Sequence, residues 1–139
     1  MASFNKFNTF IGDLGKQIHD LQAAGNVIKV YLSNTLPVAT NTVKANIAEI
    51  AAGNGYVAGG IIIPKTWLNV GTLWTLAGTA DSIWTAVGGA IAQFRYVIIY
   101  NDTSPSDSLI SWYDYGSALN VAVGESFTAK TNADLATIQ

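Results

Sequence analysis

The chain has no cysteine, a single histidine (His19), three prolines and, across 139 residues, only 12% charged side chains. Without cysteine there is no disulfide and no thiolate metal ligand, a composition that suits synthesis in a reducing cytosol. One histidine, no paired-ligand spacing and no glycine-rich phosphate loop leave metal, nucleotide and nucleophilic chemistry without a starting point. We expect no catalytic, cofactor-binding or metal-binding residues. The basic residues Lys6, Lys16, Lys29, Lys44, Lys65, Arg95 and Lys130 form no run, and the net charge is −2. A chain without a basic field is poorly made for nucleic acid. Long apolar runs are missing too. Ile61-Ile62-Ile63 is ended by Pro64, far short of the ~20 residues of a membrane helix. The first residues lack the basic-then-apolar order of a signal peptide. No membrane partner is expected.

What is present is apolar and neutral. Half the residues are hydrophobic, whereas soluble domains carry roughly 25% charged residues. So much uncharged surface must be hidden in a core, in a symmetric partner, or in both. The length suits one domain, and the balance points to assembly rather than chemistry.

Phe4, Phe7, Ile11, Leu14, Ile18 and Leu21 recur at spacings of three and four, the stripe of an amphipathic helix. Ser3 is its expected N-cap and Gly25 its expected stop. Gly12 and Gly15 each cost it about 1 kcal/mol, so the stripe should dock onto a surface. Residues 1–24 are therefore read as an N-terminal helix or arm, and 25–139 as a single β-rich domain. Beyond Gly25, Ile28, Val30 and Leu32 alternate as in a half-buried strand. Thr42 to Ile50 suggests a short helix carrying Glu49. Further strands are expected at Tyr56-Val57, Ile61–Ile63, Leu73–Leu76, Ile83–Val87, Phe94–Tyr100, Leu109–Tyr113 and Ser126–Ala129. Turn residues at regular spacing between them argue for an antiparallel β-sandwich or jelly-roll-like barrel, with Arg95–Tyr100 as a central strand.

Four constellations could carry chemistry. Asp102 and Asp107 bracket an oxygen-rich loop, but it lacks the alternating acids and closing glutamate of a calcium loop; a polar hairpin loop is the better reading. His19 sits at the edge of the helical stripe, as a boundary or interface residue would. Asp114 and Glu125 would be a glycosidase pair only if held at catalytic separation. Trp67, Trp74, Trp84 and Trp112 could line a sugar platform, with Trp74 and Trp84 paired across a hairpin at Gly78–Asp81, or fill a core.

Several blocks resemble proteins of tailed phages and prophages. They are Ile28–Thr35, Ala48–Tyr56 with Ala58-Gly59-Gly60, Phe94–Thr103, Leu109–Ser117 and Gly124–Thr128. The resemblance covers most of the chain beyond the first strand and brings no catalytic residues. It implies a small structural protein of the virion, made in the bacterial host cytoplasm, most simply a head decoration or cement protein. The major capsid protein, or tail proteins if it sits there, would be its partner, and self-association into a homo-oligomer is expected. A carbohydrate-binding module is a more distant alternative. Phe4, Phe7, Ile11 and Leu14 are the expected assembly contacts, although the same stripe could equally pack on the chain's own β-core. Deleting residues 1–22 should then leave a soluble β-domain that no longer binds the particle.

Overall fold

The computed structural model describes residues 3–139. The chain is mainly β, and its sheets are antiparallel. The strands are β1 (Ser3–Lys6), β2 (Ile28–Ser33), β3 (Ile61–Ile62), β4 (Lys65–Val70), β5 (Leu73–Gly78), β6 (Ser82–Thr85), β7 (Ile91–Asn101), β8 (Leu109–Val121), β9 (Ser126–Ala129) and β10 (Asp134–Ile138); one helix, α1, covers Thr9–Gly15. A five-stranded sheet runs β1-β8-β7-β2-β3, a three-stranded sheet β10-β5-β4, and a two-stranded sheet β6-β9.

The long β7–β8 hairpin is the centre of the fold, and β7 is apolar on both faces. Val97 and Ile99 join one buried cluster, while Tyr96, Ile98 and Tyr100 join another on the opposite face, the period-two separation of a pleated strand. A register shift at Ile99/Tyr100 pairs Ser111 with Ile99 and Leu109 with Tyr100. Ile110 is then an extra residue, and this bulge turns it into the same cluster as Val97. The larger cluster joins Ile28, Val30, Leu32, Phe94 and Val121 of the five-stranded sheet to Leu76 and Leu135 of the three-stranded sheet and Trp84 of the two-stranded one. The smaller holds Phe7, Tyr31, Ile47, Leu109 and Trp112 with the β7 residues already named.

The N-terminal segment departs from the expected helix. Phe4 lies in β1, opposite Tyr113 in the main sheet, and α1 is only seven residues long, with Asn8 rather than Ser3 at its N-cap position. It stops because Gln17 adopts a left-handed backbone (φ 63°). The N–H of Gln17 then reaches Leu14 O (3.1 Å) and that of Ile18 reaches Asp13 O (2.9 Å), a Schellman closure well before Gly25, the glycine expected to end it. Two interior glycines had already weakened the helix, so a short one with its own stop prevails. Nor is there a structural break at residue 24. Phe10 and Leu21 belong to the same core cluster as β2 and β7.

The helix expected over 42–50 is a single 3₁₀ turn at Lys44–Asn46. The Asn46 side-chain oxygen accepts the N–H groups of Thr42 (3.0 Å) and Val43 (3.1 Å), and such side-chain bonds compete with helix propagation. Tyr56 forms only an isolated bridge with Gly53. The strands β4 and β10 were not anticipated.

At Gly60 the chain runs against β2 with φ +80°, and a Cβ there would overlap the Val30 carbonyl. Gly60→Ala is expected to cost about 2–4 kcal/mol, from left-handed strain plus forced displacement of β2. It should appear as a lower urea midpoint at unchanged slope. Gly124 has a similar φ (+84°) but open space around it, so Gly124→Ala should cost only the strain, about 1 kcal/mol. Equal losses at the two positions would refute the close-approach explanation.

Candidate functional site

The densest polar cluster in the described chain lies where the 42–60 segment crosses the outer face of β2 and β7. Tyr31 and Tyr100 pack edge to face there, ring centroids 5.4 Å apart. The Lys44 ammonium sits 4.8 Å from the Tyr31 ring centre and 5.6 Å from that of Tyr100, within cation–π range. Lys44 Nζ also donates to Glu49 Oε2 at 2.8 Å. The other oxygen of Glu49 accepts from the Tyr56 hydroxyl and the Gly59 N–H, both at 2.6 Å. The Tyr56 oxygen in turn accepts the N–H of Leu32 (3.2 Å), and Tyr100 donates to Gly59 O (2.8 Å). At the margin, Lys29 pairs with Asp102 at 3.1 Å.

Burial is the largest single influence on Glu49 and pushes its pKa up, but the hydrogen bonds from Lys44, Tyr56 and Gly59 together outweigh it and hold the carboxyl below its ordinary range. Burial, reinforced by neighbouring acids, drives the phenols of Tyr31, Tyr56 and Tyr100 far above theirs. Beside the cluster, Lys44, Ile47, Glu49, Pro105, Ser106 and Asp107 help line an open groove of about 360 Å³. Burial, then repulsion from Asp102, raises the Asp107 pKa. In this arrangement lysine and glutamate neutralise each other, and the Tyr31, Tyr56 and Tyr100 hydroxyls are already donating. Chemically it is a clamp that fastens a long loop to a sheet. The sequence showed Glu49 only as a helix-compatible residue, because its partners Lys44, Tyr56 and Gly59 meet it through a loop rather than at helical spacing.

The four expected assembly contacts divide. Phe7 is fully buried against Trp112, ring centroids 4.5 Å apart, and Leu14 packs on the main core. Phe4 and Ile11 are exposed, at 42% and 51%. The four therefore do not form one outward stripe, since β1 and α1 present different faces. Phe7 is buried in the core and Leu14 is partly buried against it, the alternative that the stripe equally allowed.

His19 is buried within a polar network rather than at an edge. The Asn101 amide reaches Ile18 O, His19 Nδ1 (3.0 Å) and Asn26 Oδ1 (2.9 Å). His19 Nε2 has no hydrogen-bond partner, and the nearest acid, Asp13, is 4.0 Å away. Burial lowers the His19 pKa against the pull of Asp13, so the ring is neutral at pH 7. The 101–108 loop is the expected polar hairpin connection. Asn101 Oδ1 accepts from Thr103 and Ser104, and Ser104 Oγ accepts from the Ser108 N–H.

Asp114 is held by both nitrogens of an Arg95 fork, at 2.8 and 3.0 Å. That hydrogen bonding lowers its pKa, the opposite of what a general acid needs near neutral pH. Glu125 is exposed and accepts the Ala122 N–H within a turn. Each carboxylate is thus engaged by its own partners, Arg95 for Asp114 and the Ala122 N–H for Glu125. The tryptophans also separate. Trp84 stacks with Tyr56 and Phe127 in the core, Trp112 packs on Phe7, and Trp74 stacks on Trp67 at 5.4 Å rather than pairing with Trp84. They form no single exposed row. No helix among the described residues is long and apolar enough to cross a membrane.

No family model, no curated protein and no solved structure matches this chain.

Proposed function

We propose that this chain is a non-enzymatic structural protein of a tailed-phage virion, a decoration protein that binds the major capsid lattice and stabilises the head. The phage resemblance of its sequence blocks motivates the reading, and one structural observation carries it. The surface is unusually neutral and studded with large apolar side chains: Leu36, Val57, Val70, Val87 and Val123 are each more than 60% exposed. Charged residues are depleted at interface cores, and a surface this sparsely charged supplies apolar contact for one. The polar clusters described above are consumed internally, as befits a rigid building block. We read its sheets as a β-sandwich, because the main core joins the five-stranded sheet to both smaller ones.

The mechanism is mechanical. A subunit bridging neighbouring capsomers adds buried area at a seam, and each standard contact removes about 800 Å² per partner. This opposes the outward pressure of packaged DNA. Sedimentation of the purified protein with phage heads that lack it tests the reading. Binding at a fixed ratio to the major capsid protein is the expected result. Failure to bind heads, with capture by tails instead, would move the protein to the tail or fibre.

A further inference from the structure

β4 is the longest strand on any sheet edge, at six residues. Residues 66–80, which contain most of β4 and β5, include no Asp, Glu, Lys, Arg or His. The other edges carry the usual protections against pairing. β1 contains Lys6, β3 has only two residues, and β10 contains Asp134 and a register shift. The four-residue strands β6 and β9 are flanked by the Asp81–Lys130 ion pair and Glu125. β4 has a regular register against β5 from Lys65↔Gly78 to Val70↔Leu73, with neither bulge nor internal proline.

The direction of its free backbone groups follows from the ladder. The N–H of Gly78 points away from β4, to Ala133 O at 2.9 Å. Lys65↔Gly78 is therefore a non-hydrogen-bonded pair, and antiparallel pairs alternate. The same holds at Trp67↔Leu76 and Asn69↔Trp74, so the main-chain groups of Trp67 and Asn69 face outward. Lys65 is withdrawn from this edge. It is 8% exposed, with its ammonium on Gln22 O. The usable edge is Thr66–Val70, and its outer face carries Leu68 and Val70, exposed at 54% and 78%.

We propose that this edge pairs with the same edge of a second copy, antiparallel across a two-fold axis through Leu68. Trp67 of each copy then lies opposite Asn69 of the other, and the two pairs exchange four main-chain hydrogen bonds. Leu68 faces Leu68 as a non-hydrogen-bonded pair, where side chains approach most closely, and Thr66 faces Val70. The occupant is a second copy because the edge is complementary to itself. Its hydrogen-bond groups match under the two-fold, and no charge meets its own image there. The two three-stranded sheets become one six-stranded sheet with a continuous uncharged outer face. This dimer is independent of particle binding.

The absence of native cysteine permits a clean test on the purified full-length protein. A non-hydrogen-bonded antiparallel pair brings Cα atoms to about 4.5 Å, within disulfide range. Leu68→Cys should give a covalent dimer under mild oxidation. Val70→Cys, at the more exposed position, faces Thr66 and should cross-link at least tenfold more slowly. In sedimentation equilibrium Leu68→Lys should abolish the concentration-dependent dimer of the native chain, and mixing it with Leu68→Glu should restore one. A native chain that stays monomeric at millimolar concentration, or cross-linking equally fast at both cysteines, would overturn the proposal.

Discussion

Removing residues 1–22 is expected to unfold this protein rather than release a trimmed β-domain. The deletion takes away β1, the ladder partner of β8, together with Phe7, Phe10 and Leu21, which are 1%, 0% and 3% exposed. Truncating a single buried phenylalanine to alanine costs about 3–5 kcal/mol, and a buried leucine 2–5. Three such losses together rival the whole stability of a small domain, roughly 5–15 kcal/mol. The deleted chain should be insoluble, or soluble without a cooperative urea transition. Ile11→Ser, at an exposed position of α1, should by contrast stay within about 0.5 kcal/mol of the native chain. A folded, cooperative deletion mutant would show that the segment docks on the core without supporting it.

The second large effect is at Glu49. Glu49→Ala leaves the Tyr56 hydroxyl, the Gly59 N–H and the Lys44 ammonium without their shared acceptor. Stranding a buried donor costs about 1–3 kcal/mol, and the part-buried Lys44–Glu49 pair adds less than the about 3–5 of a fully buried one. A loss of about 3–5 kcal/mol is expected, measured by urea unfolding. Glu49→Gln keeps an acceptor for Tyr56 and Gly59 and should lose less than half of that. The carboxyl is held below its unfolded pKa. Its contribution is therefore present above the ordinary glutamate value near 4.5 and is lost as pH falls through the lower folded value. The native chain should weaken on acidification in that window, and Glu49→Ala should be flatter there. Parallel profiles would remove Glu49 as the cause.

The sequence announced strands where apolar residues alternate and both neighbours are turns. Ile28–Leu32 and Ser126–Ala129 belong to this kind, although Tyr31 is buried on the second face of β2; Arg95–Tyr100 was legible instead as an apolar run buried on both faces. It misled where a local period was overridden by a distant partner. The spacing of Phe4, Phe7, Ile11 and Leu14 is helical, yet Phe4 pairs with Tyr113, more than a hundred residues away. The stop at Gln17 was invisible because a non-glycine residue takes the left-handed turn. β4 escaped notice because its solvent side carries Leu68 and Val70 instead of polar residues, so the polar/apolar alternation of a half-buried strand is absent. The Glu49 clamp was unreadable because its loop partners are not at a regular spacing, and Tyr31 and Tyr100 join it only when the segment lies across β2 and β7.

Both ends of the chain close on β8. Ser3 pairs with Asp114, Ser111 donates to Leu135 O, and Lys6 Nζ reaches Thr137 O at 3.0 Å. During synthesis the first strand must therefore wait for its partner. At synthesis rates of about 5–20 residues per second the intervening stretch takes roughly 5–20 s to emerge. Throughout that interval Phe7 and Phe10 are uncovered, and β10, which pairs with β5 and accepts from Ser111 of β8, is made later still. The main sheet is thus completed only once β8 is made, and the yield in the cell is governed by what shields Phe7 and Phe10 while they wait.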